Sequence, residues 1–113
     1  MHYREVIQLE NYVKAAKVNE IPEGRVKRIE IGETYIALFN IDGEFYAIDD
    51  TCSHEEASLS QGELDGHMIE CPLHGSRFDV KTGQVRSLPA VMPIKTYKVV
   101  TEGDDIFIFM ESE

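Results

Sequence analysis

Cysteine and histidine converge in this chain in two short clusters, Cys52-Ser53-His54 and Cys71-Pro72-Leu73-His74, with sixteen residues between them. The chain has 2 cysteines and 4 histidines, so the clusters take both thiols and half of the imidazoles. One sulfur and one ring nitrogen offered from each of two loops make a four-point metal site. Two ligands one residue apart in a turn can point the same way. So can a Cys and a His three apart, where Pro72 stiffens the bend and Gly75 permits a tight exit. From the residues alone, a tetrahedral Cys₂His₂ zinc site stays open, although zinc fingers normally pair Cys with Cys and His with His. A Cys52–Cys71 disulfide is the other alternative, disfavoured where thiols are kept reduced. His2, near the terminus, and His67, after Gly66, match neither cluster and are expected to be ordinary surface histidines.

The rest of the chain reads as all-β. Short runs with β-like composition alternate with turn residues. Strands are expected at Tyr12 to Ala16, Arg25 to Ile31, Thr34 to Ile41 and Glu44 to Ile48, then at Ile94 to Val100 and Asp105 to Met110. Asp42-Gly43 is a strong two-residue hairpin signal between the third and fourth of these. Tyr3 to Leu9 fits either a strand or a short helical turn. The middle, Asp49 to Ala90, is rich in Gly and Pro, with short extended pieces only at His67 to Glu70 and Arg77 to Val80. Such a segment is expected to bury little apolar surface of its own, so that a metal centre has to hold it.

At 113 residues the chain is expected to form one domain. No apolar stretch approaches the length of a membrane span, and the first residues lack the basic-then-apolar order of a signal peptide. A cytoplasmic protein is expected. The net charge of −10 argues against nucleic acid as a partner. The negative charge is also unevenly placed: from Ile29 to Ser76 there are eleven acids and no Lys or Arg, whereas the flanks together hold eleven basic and ten acidic residues. That acidic stretch, which carries both clusters, is either a solvated face or a guide toward basic partner surfaces.

The order Cys-x-His…Cys-x-x-His, with Gly75-Ser76 after the second histidine, resembles the Rieske [2Fe–2S] family, in which two Cys hold one iron and two His the other. The resemblance extends over about residues 12 to 110. It takes in Asp42-Gly43 leading to Tyr46-Ala47-Ile48-Asp49-Asp50 before the first loop, and Phe78-Asp79 with Thr82-Gly83 after the second. It also takes in Ser87-Leu88-Pro89-Ala90, which is similar to the proline-bearing loop that covers the cluster in relatives. The resemblance implies an antiparallel β sandwich with a loop-built cluster-binding subdomain. Residues of about 49–90 would form that subdomain, on a scaffold of about 1–48 and 91–113. It implies one [2Fe–2S] cluster, with Cys52 and Cys71 on the inner iron and His54 and His74 on the outer, and Ser76 donating a hydroxyl hydrogen bond to a cluster sulfur.

Respiratory members carry an extra disulfide between the cluster loops; here the corresponding positions are Ala57 and Leu73. They also have a Tyr where this chain has Phe78, which cannot donate to a cysteine sulfur. Glu55 and Glu56 beside His54 further disfavour an added electron. A Ser76 hydrogen bond to a cluster sulfur would push the potential up; with two of these three levers pointing down, the expected potential lies in the lower part of the Rieske range of roughly −150 to +300 mV.

A Rieske oxygenase needs a second iron held by two His and a carboxylate, and this chain has no spare paired histidines for one. The resemblance therefore implies not an enzyme but an electron-transfer protein, the ferredoxin of a ring-hydroxylating oxygenase system. Such a monomer takes one electron from a flavin reductase and delivers it to a terminal oxygenase. The alternative is the small Rieske subunit of another oxidoreductase, such as assimilatory nitrite reductase. Leu73, Leu88 and Pro89 are expected to form a small apolar patch around the histidine ligands, or simply to shield the cluster.

Overall fold

A computed structural model describes residues 10–53, 57–73, 75–88, 90 and 92–111. Eleven strands form three antiparallel sheets among them. The central sheet contains β2 (Val26–Ile31), β3 (Thr34–Ile41), β4 (Glu44–Asp49) and β9 (Thr96–Tyr97), in the order β2-β3-β4-β9. Against it lies a three-stranded sheet in the order β1-β11-β10, with β1 at Tyr12–Lys17, β10 at Val99–Glu102 and β11 at Asp105–Phe109. The third sheet runs β5-β6-β7-β8, from β5 (Glu63–Asp65) and β6 (Met68–Glu70) to β7 (Arg77–Asp79) and β8 (Val85–Ser87).

Strand β3 explains the layering. Its residues alternate between faces, as strand geometry requires. Ile36 and Leu38 join Ala16, Ile21, Ile29, Ala47, Ile106 and Ile108 in one apolar cluster. Ala37, Phe39 and Ile41 join Ile48, Leu59, Ile69, Phe78, Val80, Ala90 and Ile94 in a second. The first cluster is the filling of the β sandwich; the second seats the third sheet on the opposite face of the central one. A strand covered on both faces reads as an unbroken apolar run, and Tyr35 to Phe39 is that run.

The β3–β4 hairpin turns as expected. Asp42 and Gly43 have φ of 55° and 87°, the two left-handed positions of a type I′ turn. Asn40, buried just before it, accepts the Gly43 N–H at 3.0 Å and donates to the Ile21 carbonyl at 2.8 Å.

Two expectations need correction. Ile94 to Val100 is not one strand. The chain pairs Thr96 and Tyr97 with β4, leaves the ladder at Lys98, and pairs Val99 onward with β11. It thus crosses from one sheet of the sandwich to the other. The middle segment also buries more apolar surface than expected: the two expected extended pieces are β6 and β7, β5 and β8 complete the sheet, and Leu59, Ile69, Phe78 and Val80 are essentially inaccessible. Apolar packing therefore supports this unit alongside any metal. Tyr3 to Leu9 lies outside the described residues.

Asp79, at the end of β7, is a buried carboxylate with three partners. It accepts the Lys81 N–H at 2.9 Å, lies 3.2 Å from His67 Nδ1, and lies 3.5 Å from Arg86 Nη2. His67 is half-exposed, as expected of a surface histidine, and its ring nitrogen faces the buried Asp79 carboxylate across the β6–β7 hairpin. Burial pushes the Asp79 carboxyl up, but the Lys81 N–H, His67 and Arg86 outweigh it and hold the group below its ordinary 3.8. A carboxyl lowered in the folded state adds stability above its ordinary value, and that stability is lost as pH falls through the folded one. Asp79→Asn should flatten the loss of stability on acidification below pH 3.8, followed by urea unfolding at a series of pH values. An unchanged slope would show that the network contributes nothing.

Candidate metal centre

The first loop leaves β4 and closes on itself. Thr51 and Ser58 form an isolated antiparallel bridge, and the Cys52 N–H donates to the Ala57 carbonyl at 2.9 Å. The root of the loop is fixed by Asp50, whose side chain is 2% exposed. Asp50 Oδ2 accepts the Ser58 hydroxyl at 2.6 Å and Arg28 Nε–H at 3.0 Å, and Oδ1 accepts the Ser60 N–H at 2.8 Å. One residue before it, Asp49 accepts the Tyr97 hydroxyl, which ties β9 to the same root. Burial first, and then this carboxylate, raise the Tyr97 phenol far above its ordinary 10.0.

The second loop is the tip of the β6–β7 hairpin. The Cys71 N–H donates to the Ser76 carbonyl at 2.7 Å, and the Gly75 N–H returns to the Cys71 carbonyl at 3.0 Å. Gly75 has φ of 81°, so the tight exit uses the left-handed conformation that favours glycine. Beside it, Arg77 bridges Glu70 at 3.4 Å and Asp65 at 4.0 Å.

Both loops contribute to the packed cluster beneath the third sheet. Cys52 and Cys71, both buried, belong to the same packed cluster as Leu59, Ile69, Phe78 and Ala90. A third segment is stitched to both: Ser53 Oγ–H donates to the Met92 carbonyl at 2.7 Å, and the Ala90 N–H donates to Ser76 Oγ at 2.9 Å. Ser76 is wholly buried, and accepting from Ala90 leaves its own hydroxyl proton to be donated. Among the described residues no three metal-binding side chains are gathered at one point. His54 and His74, with Glu55, Glu56 and Pro89, lie outside the described residues, as does His2.

The donors in place suit an iron–sulfur centre. Two buried thiols, one from each loop, belong to one packed apolar cluster, and each motif also offers a histidine. The large apolar side chains left exposed among the described residues are Val13, Tyr35, Leu73, Leu88 and Met92. Leu73 belongs to the second loop, while Leu88 and Met92 flank the third segment. Leu73 and Leu88 are among the residues expected in the apolar patch; Met92 and Asp50 are not. Met92 carries no local signal beyond an apolar residue before a proline, and the partners of Asp50 are distant in sequence.

Residues 11–98 match the Rieske [2Fe-2S] domain. The chain belongs to that family, whose cofactor is a single [2Fe–2S] cluster. It is 52% identical over 99 residues to the 3-phenylpropionate/cinnamic acid dioxygenase ferredoxin subunit of Escherichia coli (strain K12), covering 87% of this chain and 92% of that one. Among solved structures it is similar to the ferredoxin of carbazole 1,9a-dioxygenase from Nocardioides aromaticivorans IC177. There the TM-score is 0.86 at 33% identity, covering 89% of this chain and 99% of that one. It is also similar to a chain in the complex of reduced oxygenase and oxidized ferredoxin in carbazole 1,9a-dioxygenase, with a TM-score of 0.85 at 34% identity, covering 91% of this chain and 96% of that one.

Proposed function

We infer that this chain is the ferredoxin of a ring-hydroxylating dioxygenase system, a one-electron carrier between a reductase and a terminal oxygenase. The observation that carries the reading is the 52% identity with a dioxygenase ferredoxin subunit across 92% of that relative. Cys52 and Cys71 hold one iron and His54 and His74 the other, within a cluster-binding subdomain of about residues 49–90. The burial of both cysteines in one packed cluster supports the sulfur half of that assignment. When bound, the [2Fe–2S] group accepts and releases one electron without making or breaking bonds to a substrate.

The protein's own residues then do three things. The two closed loops hold the thiols at fixed positions. The segment stitched by Ser53 and Ser76 covers the site and excludes water, and Ser76 keeps a proton to donate to a cluster sulfur. Leu73, Leu88 and Met92 offer an apolar contact area to the redox partners, while the acids of residues 30–70 speed encounter with basic partner surfaces and leave the complexes short-lived. The location is the cytoplasm. No helix among the described residues is long and apolar enough to cross a membrane.

The test is spectroscopic and kinetic. Protein made under iron-replete, anaerobic conditions should be brown-red and, on reduction, should give the low average g-value of nitrogen-ligated iron. Stopped-flow reduction by a flavin-dependent ferredoxin reductase should slow as salt rises. Colourless, zinc-loaded protein would end the reading; a salt-independent rate would reduce the acids to a solvated surface.

A further inference from the structure

The Asp50 carboxylate, at the root of the first cluster loop, is 2% exposed, and nothing in electron carriage requires an acid there. A buried carboxylate is costly unless donors surround it and a cation answers it. Both conditions are met. Three donors converge on its two oxygens, from Ser58, Ser60 and Arg28. Arg28 comes from β2 in the scaffold, 22 residues away, and its guanidinium lies 4.0 Å from the centroid of the Tyr35 ring. The backbone joins the same knot: the Asp50 N–H donates to the Tyr35 carbonyl at 2.9 Å, and the Leu59 N–H donates to the Asp50 carbonyl at 2.6 Å. Both ends of the Cys52 loop are therefore pinned to one carboxylate, and that carboxylate to one scaffold cation.

We propose that Asp50 and Arg28 form a charge-balanced clamp that positions the Cys52 loop and sets the field felt by the group this loop binds. The inference rests on Cys52 being a ligand of the [2Fe–2S] cluster. Asp50 is two residues from Cys52, so their Cα atoms are within about 7 Å of each other. At that range a charge in a poorly solvated site acts strongly on an added electron. The two members are unequal, because the Asp50 side chain is 2% exposed and that of Arg28 49%. Solvent screens the arginine more than the carboxylate. Removing the Asp50 charge should therefore shift the potential further than removing that of Arg28, and in the opposite direction. Both residues are positioning residues, acting through the loop and its field.

The experiment uses the cluster-loaded protein with Arg28→Gln, Arg28→Lys, Asp50→Asn and the double Arg28→Gln/Asp50→Asn variant. Two readouts are taken: midpoint potential by redox titration, and loss of visible absorption to an excess of iron chelator. Asp50→Asn should raise the midpoint and Arg28→Gln should lower it. Arg28→Lys should keep most of the parental value, and the double variant should fall between the singles. Bleaching by chelator should be roughly tenfold faster in Asp50→Asn, from the loss of charge-assisted hydrogen bonds at the loop root. A purely structural role would speed bleaching without opposed shifts in potential. Equal midpoints in all four variants, or shifts of one sign in both singles, would overturn the proposal. A parent protein without a cluster would instead defeat the ligand reading on which it rests.

Discussion

Replacing Cys71 with serine should leave the purified protein colourless but folded. A serine hydroxyl stays protonated near neutral pH and is a poor ligand for iron, so the inner iron would lose half of its protein sulfur. The fold need not follow. The Cys71 N–H still reaches the Ser76 carbonyl. The surrounding apolar cluster of Phe39, Ile48, Leu59, Ile69, Phe78 and Val80 is supplied by side chains that the substitution leaves in place. What goes is the stabilisation that a tightly held group lends to the state that binds it, about 3 kcal/mol or more, or roughly 10 °C in Tm for a domain of this size. Far-UV circular dichroism should keep its β signature while the visible bands and the iron content vanish. A coloured Cys71→Ser protein with full iron content would reject Cys71 as a ligand. A colourless and unfolded one would mean that the cluster, rather than apolar packing, holds the middle segment together.

That second outcome is what the Gly- and Pro-rich stretch from Asp49 to Ala90 suggests when read in isolation, because the apolar surface it buries is hard to see in the sequence. Strand signals in sequence need several alternating residues, and β5 and β8 have three each. Their apolar members, Leu64 and Val85, are single residues that gain meaning only from the packed cluster they line. The Asp42-Gly43 turn was legible because its two left-handed positions are a local property of those residues. The break at Lys98 was not, because the choice between pairing with β4 and with β11 is made by the sheets on either side. The candidate site divides in the same way. The Cys and His pairs stand out by spacing and by resemblance, and both cysteines are buried within one packed cluster. Asp50, by contrast, looks like any acid at a strand end. Its importance comes from Arg28 on another strand and from Ser58 and Ser60 across the loop, contacts that exist only once the chain is folded.

Gly83→Ala should be among the most destabilising single changes in the chain, because two penalties coincide there. Gly83 has φ of 81°, which an alanine adopts only under strain. A Cβ at this position would also lie 2.2 Å from the Ile94 carbonyl oxygen and 3.0 Å from Thr96 Cγ2. Neither neighbour can yield cheaply. The Gly83 N–H donates to the Asp79 carbonyl at 2.7 Å and the Ile94 N–H donates to the Gly83 carbonyl at 2.8 Å, so the clash falls on the seam where the third sheet docks against the strand returning to the scaffold. Strain of about 1–3 kcal/mol and a similar cost of overpacking add to about 3 kcal/mol or more, a fall in Tm of roughly 10–20 °C. Two other glycines separate the contributions. Gly103→Ala carries only the conformational penalty, since φ there is 59° and nothing lies within 4 Å of the added carbon. Gly62→Ala carries only the steric one, with φ of −84° and the Glu70 carbonyl oxygen 1.9 Å from the new Cβ. Thermal unfolding should therefore rank Gly103→Ala as mild and Gly62→Ala and Gly83→Ala as severe. Because the Glu70 carbonyl immediately precedes Cys71, Gly62→Ala should also hasten loss of the cluster to chelator, whereas Gly103→Ala, at the β10–β11 turn, should not. If Gly83→Ala melts within a few degrees of Gly103→Ala, the close approach of Ile94 is not a feature of the folded protein, and the seam between the third sheet and the scaffold is looser than its hydrogen bonds imply.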